Sequence, residues 1–159
     1  MRFQNVMFTV AAIALAAAAQ VPNFSDHPVE QVFKGQAAKP VLITPFQKRF
    51  RTQIRHQATS PPNFAGHYRI VQWGCGSSCV SIVIVDLETG AVYSPPFSVL
   101  GYAAPYKYEG GDDELEYRVS SGLLVARGCP EDKNCGTYYY VWKADHLGQV
   151  RFVPHGPLP

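Results

Sequence analysis

The chain lacks every short motif that would announce a reaction. It has no Gly-rich phosphate cradle and no HExxH helix, and Ser77 and Ser78 stand outside any G-x-S-x-G context. An excess of charge is missing too. With 14 Lys and Arg against 12 Asp and Glu, the balance is too even for nucleic acid as a bulk partner, which calls for a strongly basic face. Long apolar runs are scarce. Residues 6–19 form one of about 14 residues, short of the roughly 20 that cross a bilayer, and no later stretch predicts a membrane span. Cysteine is limited to four residues, none close behind that run, which argues against a lipoprotein anchor.

What stands at the start is a basic amino terminus with Arg2, then the uncharged run, then Ala17-Ala18-Ala19 with small residues at the positions a signal peptidase reads. Residues 1–19 are therefore expected to be a signal peptide cleaved before Gln20, and the protein to be periplasmic or secreted. About 140 residues remain of the 159, the size of one ordinary domain, and the basic excess falls from two to one as Arg2 leaves. A chain of that length can bury a real core, so disulfides supplement packing.

The four cysteines fall in two short-range pairs, each between strand-like runs. Cys75 and Cys79 lie in Trp73-Gly74-Cys75-Gly76-Ser77-Ser78-Cys79, and Cys129 and Cys135 in residues 128–136. In both places the second run reaches a turn ending in glycine, Gly90 or Gly148, and then a third strand. The offset between the copies grows from 54 at the first cysteine to 58 at the closing glycine, so the internal repeat is approximate. Four cysteines allow three connectivities. The duplication favours the local one, Cys75–Cys79 with Cys129–Cys135, each closing a small loop worth roughly 2 kcal/mol in the chain-entropy model. A zinc site using all four is the competing reading, which an oxidising compartment disfavours.

Residues 20–40, polar and interrupted by Pro22 and Pro28, read as an extended N-terminal arm or a loosely packed lead-in. Residues 41–159 read as a single β-rich domain. Its helix, about 45–57, starts on Thr44 as N-cap with Pro45 in the first turn and Gln47 completing a capping box. Phe46, Phe50 and Ile54 form its apolar stripe, and Pro61-Pro62 ends it. β-meanders are expected at about 63–93 and 114–154. Residues 80–87 are apolar on nearly both faces, the mark of a central strand. Residues 114–119 alternate, with Glu114, Glu116 and Arg118 on a wet face, and residues 94–111 form the longest loop. The fold class is mainly β: two related antiparallel, disulfide-clamped meanders forming a small sandwich or twisted sheet, with one amphipathic helix packed on it.

The helix with Arg49, Arg51 and Ile54, then Asn63-Phe64-Ala65-Gly66-His67-Tyr68, then Trp73-Gly74-Cys75-Gly76 with Cys79, then Asp86 with Thr89-Gly90, resemble a group of small secreted bacterial proteins with no assigned activity. The likeness is most specific over residues 51–93 and implies a bacterial source and export. It carries over no catalytic residue. Asp86-Leu87-Glu88-Thr89-Gly90 also resembles the hairpin turn of many β-propeller blades, although two such units cannot close a ring.

No catalytic residue, cofactor or metal ligand is assigned from these patterns. Alternation along the first strand places His67, Arg69, Val71 and Trp73 on one face, so His67, Arg69 and Trp73 are candidates for binding an anionic or sugar-like ligand, the plainer reading being that His67 satisfies a loop hydrogen bond and Trp73 fills the core. Tyr139 joins them from the aromatic strand, with Tyr102, Tyr106 and Tyr108 as further rings. The residue types suit an interface, having large apolar area with a polar handle. Two further patches are the acidic loop 109–114, suited to calcium but without EF-hand spacing, and the basic helix surface of Lys48, Arg49, Arg51, Arg55 and His56. A solvated turn and a solvent-facing helix side are the plainer readings of both. The favoured function is a non-catalytic binding, inhibitor or accessory module whose partner is an envelope protein or polymer. The alternative is a small hydrolase acting on envelope or extracellular polymers, with His67 as general base and Asp86 or a loop carboxylate as its partner.

Overall fold

The computed structural model describes residues 20–98, 100–101, 114–131 and 134–154. The leader expected at 1–19, the rings of Tyr102, Tyr106 and Tyr108, and all of the acidic loop but Glu114 lie outside the described residues. Thr44 caps the helical segment as its type and position require. Its hydroxyl accepts from the Gln47 amide at 3.1 Å, while the Gln47 side-chain oxygen accepts from the Thr44 and Ile43 amides. The same Gln47 donates to the Val92 carbonyl at 3.0 Å, which ties the cap to the sheet. One helix was expected over 45–57. There are two, α1 (Pro45–Arg49) and α2 (Arg51–Gln57), joined at Phe50, whose φ of −99° and ψ of 21° leave the helical region. The break coincides with the stacking of both Phe46 and Phe50 on one ring, Trp73, at centroid distances of 5.9 and 4.8 Å.

Among the described residues eight antiparallel strands follow: β1 (Tyr68–Gly76), β2 (Cys79–Asp86), β3 (Val92–Tyr93), β4 (Leu100–Gly101), β5 (Leu115–Tyr117), β6 (Leu123–Pro130), β7 (Gly136–Lys143) and β8 (His146–Pro154). They form one sheet in the order β1-β2-β4-β6-β7-β8, with β3 beside β2 and β5 beside β6. Both disulfides are local, Cys75–Cys79 and Cys129–Cys135, and no described cysteine is free. Residues 94–111, expected to be loop, contain β4. Its two residues bridge the halves: Gly101 pairs with Cys79 on one side and Cys129 on the other, and Leu100 with Val80 and Pro130. A strand of two residues has no period to read, so only its partners define it.

Alternation along β2 separates two cores. Ile82 and Ile84 point into a cluster with Ile70, Phe64, Leu124, Ala126, Tyr138 and Tyr140, drawn from both halves of the sheet. Val83 and Val85 point the other way, to Ile54, Ala58 and Val71 under the helices. The central-strand reading of residues 80–87 rests on this double burial. The sheet curls until its ends meet: the Tyr68 hydroxyl donates to the Ala144 carbonyl at 3.1 Å, and its ring lies 4.7 Å from Trp142. A third, smaller cluster of Leu123, Val125 and Tyr139 is covered by Phe24. On β5, Glu116 does not simply face water; it holds the buried guanidinium of Arg127 at 2.9 Å.

The arm is extended but not loose. After a single 3-10 turn at Phe24–Asp26, capped by Asn23, the segment from His27 to Val41 is laced to the body by five backbone bonds. His27 accepts from Gly122, and Val29 donates to Ser120, Phe33 to Gly66, Ala38 to Leu87 and Val41 to Gly90. These partners are backbone groups, which leave no mark in the arm's side-chain pattern.

Candidate functional site

His67 ends a loop in which nearly every backbone group is committed. Ala65 donates to Ser121, Gly66 to Val119, and Gly66 accepts from Phe33 of the arm. Ala65 and Gly66 both take positive φ, 42° and 84°. A Cβ on Gly66 would sit 2.6 Å from the Gln31 carbonyl oxygen, so glycine is required for the arm to pass. The His67 carbonyl accepts from Leu87, which brings the turn after β2 alongside.

That turn is built by Asp86. Its Oδ1 accepts from the Glu88 and Thr89 amides at 2.8 and 3.2 Å, and its Oδ2 accepts from the Thr89 hydroxyl at 2.7 Å. Gly90 closes the turn onto the Asp86 carbonyl. The carboxylate is buried, and three donors offset its desolvation. The motif around His67 and the Asp-x-x-Thr-Gly turn, far apart in sequence, are thus one structural unit.

His67 lies on the shared wall of two adjoining clefts. One, of about 690 Å³, runs beside the arm between Glu30, Gln31, Lys34 and Glu88. The other, of about 400 Å³, is lined by His27, Tyr68, Val141 and Trp142. The imidazole stacks on Tyr68 at 4.0 Å, its side chain is 32% exposed, and its Nε2 stands 3.9 Å from Asp86 Oδ1. That distance exceeds a hydrogen bond. Burial raises the Tyr68 hydroxyl above the ordinary tyrosine range, and the Asp86, Tyr93 and Glu88 charges add to the rise while the nearby Trp142 ring N–H opposes it.

The other sequence candidates lie elsewhere. Arg69 is half-buried and donates to the Pro61 carbonyl at 2.6 Å. Burial lowers its guanidinium below the usual value while nearby Tyr117 opposes the shift; it stays charged. Trp73 packs under the helices against Phe46 and Phe50. Tyr139 is buried in a separate cluster with Leu123 and Val125. Arg69 and Trp73 share one face of β1, which the helical layer covers at Trp73, while His67 precedes the strand. Ser77 and Ser78 are exposed at the hairpin tip, roughly 30 Å along β1 from His67 at about 3.3 Å per residue. Glu88 and Trp142 were missed by sequence reasoning; Glu88, two residues past Asp86, was the one with a legible signal.

His67, Asp86 and Glu88 bring ligand atoms within 4.8 Å of one another, the only such trio among the described residues. Asp86 already accepts three hydrogen bonds that build its turn. The trio supplies three ligands, short of the four of a structural zinc site. At 3.9 Å from Nε2, Asp86 does not orient His67 through a hydrogen bond. Compared with known proteins, the chain matches no family model, no curated protein and no solved structure.

Proposed function

We propose that this is a non-catalytic binding module of the periplasm or extracellular space, taking an elongated ligand, an envelope protein segment or polymer, in the two clefts that meet at His67. The observation that carries the reading is the position of His67. It lines both clefts, is a third exposed, and stands beside a carboxylate whose oxygens are already occupied by turn hydrogen bonds. An imidazole so placed offers a ligand a donor and an acceptor, with aromatic area beside it on Tyr68 and Trp142. Two disulfides fit an oxidising compartment, and among the described residues no helix is long and apolar enough to cross a membrane.

The test is titration of the folded, oxidised protein with purified envelope glycan and with periplasmic protein fractions, read by hydrogen exchange. Protection is expected at residues 27–34 and 65–68. His67→Ala should keep the melting temperature within a few degrees and weaken binding about tenfold, the loss of one well-placed polar contact of about 1.4 kcal/mol. Protection confined to the exposed helix side of Arg49, Arg51 and Arg55 would defeat the cleft reading. Cleavage of the glycan that disappears in His67→Ala would establish the hydrolase instead.

A further inference from the structure

Three side chains that bind metals elsewhere in chemistry converge where the loop before β1 meets the turn after β2. The Leu87 amide donates to the His67 carbonyl, which sets Asp86 and Glu88, on either side of Leu87, next to the imidazole. One ligand atom from each of His67, Asp86 and Glu88 lies within 4.8 Å of the other two. Their engagements differ. The His67 ring stacks on Tyr68 at 4.0 Å, and among the described residues no hydrogen bond engages its nitrogens. Glu88 is exposed, and among the described residues its carboxylate makes no hydrogen bond or ion pair. Asp86 accepts two amides on Oδ1 and the Thr89 hydroxyl on Oδ2. A carboxylate offers about four lone-pair sites, so one remains, on Oδ2. Charge gives a second indication. The Asp86 side chain is only 8% exposed, and among the described residues no Lys or Arg pairs with it. Its three donors are neutral, so they solvate the charge without cancelling it. Buried charges are ordinarily paired or coordinate metals, and Glu88 brings a second carboxylate to the same point.

We propose that His67, Asp86 and Glu88 bind one divalent transition-metal ion of the zinc type. One imidazole nitrogen with two carboxylate oxygens suits such an ion better than calcium or magnesium, which take oxygen ligands. Zinc holds nitrogen and oxygen ligands at about 2.0–2.2 Å, which spaces them roughly 3.4 Å apart in a tetrahedral site. The trio is wider than this by about an ångström at most of its span, and the division of labour supplies the closure. Asp86 is fixed by its turn. Glu88 turns at the surface, and His67, a third exposed, has room to follow. Three protein ligands leave a fourth position open. It falls on the cleft of about 690 Å³ that His67 and Glu88 both line, where an oxygen of water or of a bound molecule completes the coordination. The ion binds with or without the elongated ligand proposed above.

The experiment titrates the oxidised, chelator-treated protein with zinc chloride alone, beside His67→Ala and Glu88→Gln. Calorimetry gives affinity and stoichiometry, and the imidazole nitrogen resonances show which histidine binds. Glu88 is exposed and its side chain does not hold the turn, so Glu88→Gln keeps the test open even where His67→Ala disturbs the loop. One equivalent of zinc should bind, the His67 resonances should move, and calcium chloride should not compete. Each variant should weaken binding by at least about tenfold, the lower end of what losing even a supporting group around a metal costs. Unchanged affinity in either variant overturns the site, since zinc would then sit elsewhere, for example on His146 beside Asp145. So does a starting protein that binds no zinc, or a His67 ring whose resonances stay in place. No cleft ligand enters these titrations, so their failure leaves the reading of the clefts standing. Glycan titrated with chelator present tests that reading without the ion.

Discussion

Single residues carry constraints that their types alone announce only in part. Gly66 has φ +84° with the Gln31 carbonyl oxygen crowding the place of a Cβ. Gly66→Ala therefore combines a left-handed backbone penalty with a clash against main chain, which has no free rotamer to yield. A loss of about 2 kcal/mol or more is expected, measured as the shift of the urea midpoint. A change under half a kcal/mol would show that the arm moves aside at little cost and is not fastened there. Asp86 illustrates the opposite case. Its place before Thr89-Gly90 already suggests a turn, and both its oxygens are engaged in that role. His67 sits beside it because the turn and the loop share the bond between Leu87 and His67.

Among the elements, the helical layer has the clearest physical origin. Thr44 and Gln47 start it, and Phe46, Phe50 and Ile54 bury it against Trp73, Val83 and Val85. Phe50 occupies the joint between α1 and α2, with its ring 4.9 Å from Phe46 and 4.8 Å from Trp73. Because it is only half-buried, Phe50→Ala should cost about 2–3 kcal/mol, below the 3–5 of a fully buried phenylalanine. Denaturant unfolding measures it, and tryptophan emission should report the opened pocket at Trp73. A loss below half a kcal/mol would mean the joint is held by α1 and α2 alone. The helix stripe was legible because it repeats every four residues. The break at Phe50 was not, since it answers to a ring on another element.

At the scale of the whole molecule, the two halves share the core around Ile82 and Tyr140 and the bridging strand β4, while each disulfide stays within its own half. Cutting the chain between residues 102 and 113 should therefore leave the halves associated in native buffer. In denaturant without reductant they should separate into two fragments, each with one disulfide and no free thiol. Mass spectrometry of the denatured digest decides: fragments that stay joined until reductant is added would mean cross-paired cysteines. The tyrosine-rich core also sets an alkaline limit. Burial pushes the Tyr140 hydroxyl up to about 12, with Tyr138 adding to the rise, and burial also raises Tyr68, Tyr117 and Tyr138. Below pH 10 both folded and unfolded chains keep these protons. Above it the unfolded chain, with ordinary values near 10, releases them first and is favoured. Stability should fall as pH rises from about 10 towards 12, with tyrosinate absorbance rising together with loss of near-ultraviolet circular dichroism. Tyrosinate appearing well before unfolding would mean these hydroxyls are open to water.

By itself, the sequence determined what depends on neighbours a few residues apart. Those features are the mainly β class, the double-sided burial of residues 80–87, the cap at Thr44, and the closure of each cystine across its own hairpin. Periodicity, capping and loop closure are local, so they are written in the order of the residues. Alternation also placed Arg69 and Trp73 on one face of β1, and Tyr139 opposite Tyr138 and Tyr140, whereas His67, expected on the same strand, ends the loop before it. What lies over each face was decided by the tertiary structure. The helices cover Trp73, the arm covers Tyr139, and at His67 the covering elements part to leave two clefts. β4 belongs to the same class: two residues become a strand only when Cys79 and Cys129 stand on either side of Gly101. A side chain's direction follows from its own backbone, but its exposure depends on what the rest of the chain lays against it.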